Sequence, residues 1–321
     1  MKSQDEKDLL VEVSVMYYLE GMTQSEIAKS LYMSRPKVSR LLNRAKEENI
    51  VDIRINYDTN EFSRIKRRMR QMFDVDNVIV VKTLKKESDT IKELGYAAAN
   101  ELKYQLSDNM TIGMSWGRTI KSLVDAFEPK MFKNTHVVEL FGAVNYREDR
   151  PEMLSIGFDF SKKIGGTFFP LPAPVFIPED SIYEALVENP LIKNTIEAID
   201  DCDLIMTGLG VINSEAPQKI WDSYVDPDAK HDIIDAGGVG YVCARFFDQE
   251  GKFIDHKIND NVIGIKTKSI KKNNLFIVAG GVYKWRALHA FLKDGHVNTL
   301  VSDDQTLKRI LSAQEKQILS D

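Results

Sequence analysis

Apolar positions recur at helical spacing through the first fifty residues. Leu9, Leu10, Val13, Met16, Tyr17 and Leu19 mark one side of a helix over 4–19. Ile27, Ala28 and Leu31 mark a second helix, and Val38, Leu41 and Leu42 a third. Thr23 and Glu26 have the spacing of a capping box ahead of the second. Ser34 is a natural N-cap for the third, and Pro36 suits a first helical turn because no N–H partner is needed there. Tyr32 stands where many such turns carry glycine for a positive φ, so the turn either avoids that conformation or is strained. Residues 50–57 alternate and predict a strand, a candidate wing. Phe62, Ile65, Met69 and Phe73 predict an amphipathic helix over 60–73, whose other side carries Arg64, Lys66, Arg67, Arg68 and Arg70.

From Asn77 the rhythm changes to short apolar runs alternating with helical stretches. Strands are predicted at 78–81, 110–113, 136–141, from 167, at 204–206, 275–279 and 296–301. Tyr241 to Phe247 is apolar and extended. Helices are predicted at 87–106, 117–127, near 151–164, through 199, near 217–234, and at 283–293 and 303–317. That alternation is the pattern of a parallel sheet covered on both faces. The fold class expected is α/β: a helix-turn-helix domain over 1–57, a linker helix over 58–76 and a Rossmann-like, doubly wound domain over 77–321.

Composition adds limits. The 321 residues hold about two domains' worth of chain. A formal net charge of −5 excludes a uniformly basic coat but not a local basic helix. Cys202 and Cys243 form no disulfide framework and no metal spacing, which suits a reducing cytoplasm. His136, His231, His256, His289 and His296 make no metal pattern. Asp5, Glu6 and Asp8 interrupt any signal peptide, and no apolar run is long enough for a membrane span. No cofactor, metal or membrane partner is expected.

The charge that matters is local. The outer side of the third helix carries Arg35, Lys37, Ser39, Arg40 and Arg44 with no acid before Glu47. With Pro36, and with Thr23 and Gln24 at the start of the second helix, these are the candidate contacts to double-stranded operator DNA. The bland alternative is a solvated helical hairpin.

In parallel sheets, ligands sit beyond the carboxyl ends of strands. Gly113-Met-Ser-Trp-Gly-Arg-Thr119 lies between a strand and a helix. Its amides would open that helix as a nest for an anion, with Ser115, Trp116, Gly117, Arg118 and Thr119 around it. It is neither a Walker A loop nor a dinucleotide fingerprint. A tight turn that binds nothing is the equal alternative. Gly208-Leu-Gly210, Gly237-Gly-Val-Gly240 and Gly280-Gly-Val-Tyr-Lys284 follow the same logic, and Lys284 could reach an anion. No nucleophile with an adjacent base is legible, so no catalytic residue is named. Asp200, Asp201 and Asp203 read as a polar connection.

Taken together, these motifs resemble the SorC family of bacterial sugar-responsive transcriptional regulators. The resemblance rests on Ser34-Arg-Pro-Lys-Val-Ser-Arg-Leu-Leu42, Ser115-Trp-Gly-Arg-Thr119, Pro170-Leu-Pro-Ala-Pro174 and Gly238-Val-Gly240 with Arg245-Phe-Phe-Asp248. It rests also on Val262-Ile-Gly-Ile265, Gly280-Gly-Val-Tyr-Lys284 and Asn298-Thr-Leu-Val-Ser-Asp-Asp304. It implies an effector domain similar to sugar-phosphate isomerases and deaminases, a homo-oligomer, often a tetramer, and a carbohydrate, polyol or sugar-phosphate effector. It implies that Ser115, Gly117 and Thr119 hold the effector's anionic end, with Gly281 and Lys284 closing from another loop. Gly113, Trp116, Arg118, Phe141, Gly142 and Tyr241 complete the implied site. Phe141 departs from the Lys or Arg often found there, and Tyr241 from an Asp or Glu. Those departures point to a different effector or pose. An enzyme of sugar phosphates with an appended DNA-binding head is the alternative, and a scaffold without ligand a third reading.

Overall fold

The computed structural model describes residues 4–48, 50–51, 53, 59–143, 156–212, 225, 227–295 and 297–318. The chain divides into two compact units, Met1–Asn56 and Tyr57–Asp321.

The first unit is a three-helix head of α1 (Gln4–Ser14), α2 (Gln24–Ser30) and α3 (Arg35–Glu47). Its core is Leu10 and Val13 of α1, Ile27 and Ala28 of α2, and Val38, Leu41, Leu42 and Ala45 of α3. The first predicted helix changes to a π-helical turn at Val15–Leu19, where Ser14 Oγ donates to Leu10 O at 2.6 Å. That back-bond is the local perturbation that short hydroxyl side chains bring to helices. The capping box closes as expected: Glu26 Oε2 accepts from Thr23 N and Oγ1, and Thr23 Oγ1 accepts from Glu26 N. Ser34 occupies the N-cap of α3, but its side chain makes no capping bond, and Pro36 sits in the first turn.

Tyr32 adopts φ +50° and is 97% exposed. The turn therefore keeps its left-handed residue and bears the strain in a side chain that buries nothing. Tyr32→Gly is expected to raise stability by about 1 kcal/mol. Denaturant unfolding of the full chain measures this, and an unchanged midpoint would count against the strain. The predicted wing at 50–57 lies mostly outside the described residues. Ile50 and Val51, which are described, instead donate their amides to Ala45 O and pack on the head core.

The second unit opens with α4 (Asn60–Met72), capped by Thr59 Oγ1 accepting from Phe62 N. Phe62, Ile65 and Met69 of this helix, with Phe73 after it, are buried in the unit's main core. The helix read as a linker is thus a packed part of the second unit. Hydrophobic burial of one whole side fixes it there.

Seven strands form one parallel sheet. They are β1 (Val75–Val81), β2 (Thr111–Met114), β3 (His136–Glu139), β4 (Thr167–Phe169), β5 (Leu204–Thr207), β9 (Leu275–Val278) and β10 (Val297–Asp303). Their order is β1-β10-β9-β5-β2-β3-β4. Successive side chains serve opposite faces: Leu204, Met206, Phe276 and Val278 in one core, Ile205, Leu275 and Ile277 in the other. One layer is α5 (Glu87–Gln105), α6 (Arg118–Ala126) and α7 (Ile156–Ile164). The other holds α4, α9 (Pro190–Asp200), α13 (Trp285–Asp294) and α14 (Asp304–Ile318). A shorter helix, α8 (Asp180–Val187), precedes α9. Three further helices are short: α10 (Pro227–Asp235), α11 (Lys257–Asp260) and α12 (Thr267–Lys272), whose Ile270 joins the main core.

Tyr241 to Phe247 is not one extended run. It is a hairpin of β7 (Gly238–Val242) and β8 (Arg245–Asp248), joined to β6 (Gly210–Val211) in a separate antiparallel sheet. Its turn residues Cys243 and Ala244 have φ +50° and +60°. Neither is a residue type that announces such a turn. Arg245 holds the hairpin down, its buried guanidinium donating to Val262 O and Ile265 O.

Among the described residues, no helix is long and apolar enough to cross a membrane.

Candidate effector site

From β2 the chain steps outward through β3 to β4. It then returns to β5 on the other side of β2. The reversal between β2 and β5 is the topological switch point, where loops leaving adjacent strands diverge and open a crevice. The two loops touch there: Ser115 N donates to Met206 O at 2.9 Å, and Ser115 Oγ accepts from Gly208 N at 3.4 Å.

A cavity occupies this crevice. Its floor is the loop Ser115–Trp116–Gly117 and the first turn of α6, with Thr207 to Val211 opposite. Phe141, Tyr241 and the turn residues Cys243 and Ala244 form one wall. Gly280, Tyr283 and Lys284 form another, and Glu87 and Ile91 of α5 close the rim. Gly117 caps α6 at φ +148°, with open space where a Cβ would stand. The first α6 amides, before Lys121 N reaches Gly117 O, have no partner within the helix. They and the helix dipole favour an anionic or strongly accepting group.

Several candidates take different roles from those expected. Thr119 Oγ1 donates to Val278 O at 2.9 Å, so its hydroxyl ties α6 to the sheet and leaves only the amide to offer a hydrogen. Arg118 turns to the rim, where Nη2 donates to Glu87 Oε1 at 2.9 Å and lies 3.1 Å from the Tyr283 hydroxyl. Tyr283 also donates to Glu87 Oε1, at 3.1 Å. This Arg118–Glu87–Tyr283 cluster bridges α5, α6 and the 280–284 loop, and burial pushes the Tyr283 phenol up to about 12.

Gly113 is not in the loop. It lies in β2, where a Cβ would come within 2.4 Å of Leu140. Gly142 lets the backbone at Ala173 and Pro174 approach, and Gly281, at φ +108°, donates its amide to Asp303. None of these three glycines lines the cavity. The sequence sets Gly113 beside an anion nest and the resemblance places Gly142 and Gly281 in the site, but the close neighbour of each is protein.

Lys284 lines the cavity. Its Nζ donates to Leu209 O at 2.9 Å, and the remaining ammonium hydrogens are available to a ligand. Burial pulls its pKa down to about 8, with the nearby Arg118 cation acting in the same direction. Opposite it the wall is aromatic: Trp116 and Phe141 pack at 5.1 Å between centroids, and Tyr241 covers Gly210, where a Cβ would strike its ring. Cys243 Sγ lies 3.4 Å from Thr207 Oγ1, and burial pushes the thiol up to about 12, far from a thiolate. Glu87, Thr207, Tyr283 and the hairpin turn are cavity residues that sequence reasoning missed. Only Tyr283 carried a signal, through its glycine-rich loop.

The head presents Arg35, Pro36, Lys37 and Arg40 to solvent, with Ser39 and Gln24 half-buried. Arg44 does not belong with them. It bonds Glu6 at 2.7 Å and Glu48 at 3.1 Å, bracing α1 against α3. Thr23 spends its hydroxyl in the capping box. Asp203 and Asp200 are connection residues, accepting from Thr111 N and Ser269 Oγ. Among the described residues, no group of three or more metal-ligating side chains converges.

Residues 57–312 match the family described as "Putative sugar-binding domain". The chain belongs to that family. It is 24% identical to the deoxyribonucleoside regulator of Bacillus subtilis, over 96% of this chain and 98% of that one. It is 25% identical to the sorbitol operon regulator of Klebsiella pneumoniae, over 97% and 100%. The full-length crystal structure of that sorbitol regulator, SorC, superposes with a TM-score of 0.72 over 96% of this chain and 100% of its own, at 24% identity. The molecule is a SorC-family, sugar-responsive transcriptional regulator with a sugar-binding domain.

Proposed function

We propose that operator affinity in this regulator is set by a small carbohydrate, polyol or sugar phosphate held in the switch-point cavity. The observation that carries this reading is the cavity's two-sided chemistry. One side offers the α6 amides, Ser115 and the Lys284 ammonium. The other offers the rings of Trp116, Phe141 and Tyr241, on which the C–H face of a polyol or sugar packs. An acidic or phosphorylated end would lie at Gly117 and Lys284, and the carbon chain would run toward Phe141 and Tyr241.

Arg35, Lys37, Ser39 and Arg40 would read base edges and hold phosphates in a major groove. Ligand binding would favour one arrangement of a homo-oligomer, a tetramer, over another. It can do so only through differential affinity for the two states. The protein would act in the cytoplasm and without catalysis. The carboxylate at the cavity rim, Glu87, is already shared by Arg118 and Tyr283, which argues against its use as a general base.

Arg40→Ala is expected to weaken binding to the operator by about 1–3 kcal/mol and to relax base preference at one position of each half-site. Anisotropy titrations on matched and single-substituted duplexes measure both. Unchanged binding would remove α3 from the groove.

A further inference from the structure

We propose that α4 carries a second, sequence-independent DNA-binding surface, the exposed stripe Arg64, Arg67 and Arg70, which holds backbone phosphates of a duplex bound by the same chain. The proposal rests on the reading of the head as a DNA-binding unit.

Between residues 60 and 73 the chain places five cations against one acid, Glu61, in a protein whose net charge is −5. The structure sorts those cations. Arg68 pairs with Glu315 of α14, and Glu61 is taken by Lys308 of the same helix at 2.8 Å. Lys66 is half-buried. Arg64, Arg67 and Arg70 are exposed and recur every three residues, so they follow one another along the helix surface. The opposite side of α4 is locked: Phe62, Ile65 and Met69 are at most 5% exposed. The helix therefore cannot roll its arginines away, and a cationic row on a fixed helix needs little ordering to meet a row of phosphates. Asp74 and Asp76 share the hollow beside Arg67 and Arg70, and Arg64 shares one with Glu61 and Glu315, which are paired to Lys308 and Arg68.

Charge complementarity selects a polyanion, and chain order selects duplex DNA. α4 begins at Asn60, directly after the unit that ends at Asn56. The stripe and the head are thus joined by a short stretch of one chain, and linkage of two binding modules lets weak phosphate contacts add to affinity.

The test is the salt dependence of full-chain binding to a mixed-sequence duplex of about 40 bp, roughly four helical turns. Each arginine that neutralises a phosphate contributes about 0.9 to the slope of log K against log salt. The triple variant Arg64→Gln, Arg67→Gln, Arg70→Gln is expected to lower the slope by about 0.9 per arginine for each chain bound, while Arg→Lys at the same positions retains it. The ratio of operator to mixed-sequence affinity should stay as in the wild type. These side chains are exposed, so the triple variant's melting temperature should also hold. A wild-type slope in the Gln variant overturns the proposal, as does a change of oligomeric state with the slope intact. If the wild type bound no duplex at all, the reading of the head would fail as well, and the two failures are thereby distinguished.

Discussion

Asp303→Ala is expected to cost about 3–5 kcal/mol of folding stability at neutral pH. Asp303 ends β10 and is fully buried. Its carboxylate accepts four hydrogen bonds: from Thr83 Oγ1 and Gly281 N, both at 2.7 Å, and from Thr306 N and Oγ1 at 3.0 and 2.7 Å. Removing it leaves the buried Thr306 amide and hydroxyl without an acceptor, which is more damaging than losing the contacts themselves, and frees the half-buried Thr83 hydroxyl and Gly281 amide. Against a typical domain stability of about 5–15 kcal/mol, that is a large fraction. The damage should also reach the effector. Gly281 precedes Tyr283 and Lys284, so losing its anchor loosens the wall that carries the cavity's ammonium. Denaturant midpoints measure the first effect. A loss under about 1 kcal/mol would mean that Asp303 is not the anchor of that loop.

Lys284→Met is expected to act in opposite directions on the empty and the liganded protein. In the folded chain Lys284 titrates near 8 instead of its ordinary 10.5, because burial disfavours the ammonium. Below pH 8 the group is charged in both folded and unfolded chains, and the folded state carries the full desolvation penalty. Between about 8 and 10.5 the unfolded chain holds the proton more tightly than the folded one, so this group's contribution to stability rises with pH. Above both values the penalty is gone. The Met variant should therefore melt higher than the wild type at pH 7, with the advantage fading as pH passes from 8 to above 10.5. For an anionic ligand the effect reverses: losing a charge-assisted bond should weaken binding by about 1.5–3 kcal/mol, roughly tenfold to a hundredfold. An advantage flat across pH would contradict the burial of a charged lysine, and unchanged affinity for an anionic ligand would move that ligand elsewhere.

The α/β architecture was legible because its strands are buried on both faces. Runs such as Leu275 to Val278 then read as unbroken apolar segments between helical stretches. The head was legible because its caps and its small and branched core residues act within a few positions of one another. Long-range pairing was not. Nothing near Arg44 shows that Glu6 will claim it, and nothing near Arg118 points to Glu87 and Tyr283. Gly113 looked like a phosphate-loop glycine, yet the group that needs its missing Cβ is Leu140. The hairpin at Cys243 and Ala244 was hidden because its left-handed turn uses neither glycine nor asparagine. Phe141 and Tyr241 were placed in the site by resemblance, and both line the cavity. Lys284 is also there, held by Leu209 O, a carbonyl in a loop 75 residues earlier in the chain.

The central claim is that one ligand in the switch-point cavity and DNA at the head change each other's affinity. The direct measurement begins with a melting-temperature screen of polyols, aldoses and their phosphate esters. Each ligand that stabilises the protein is then added to a titration of a duplex from upstream of the chain's own gene. A stabilising ligand is expected to shift duplex affinity by about 5- to 150-fold, a coupling of 1–3 kcal/mol, and Gly117→Val, which fills the mouth of the α6 nest, should abolish the shift while leaving duplex binding intact. A ligand that stabilises the wild type yet leaves duplex affinity unchanged, or one whose effect survives in Gly117→Val, would contradict it.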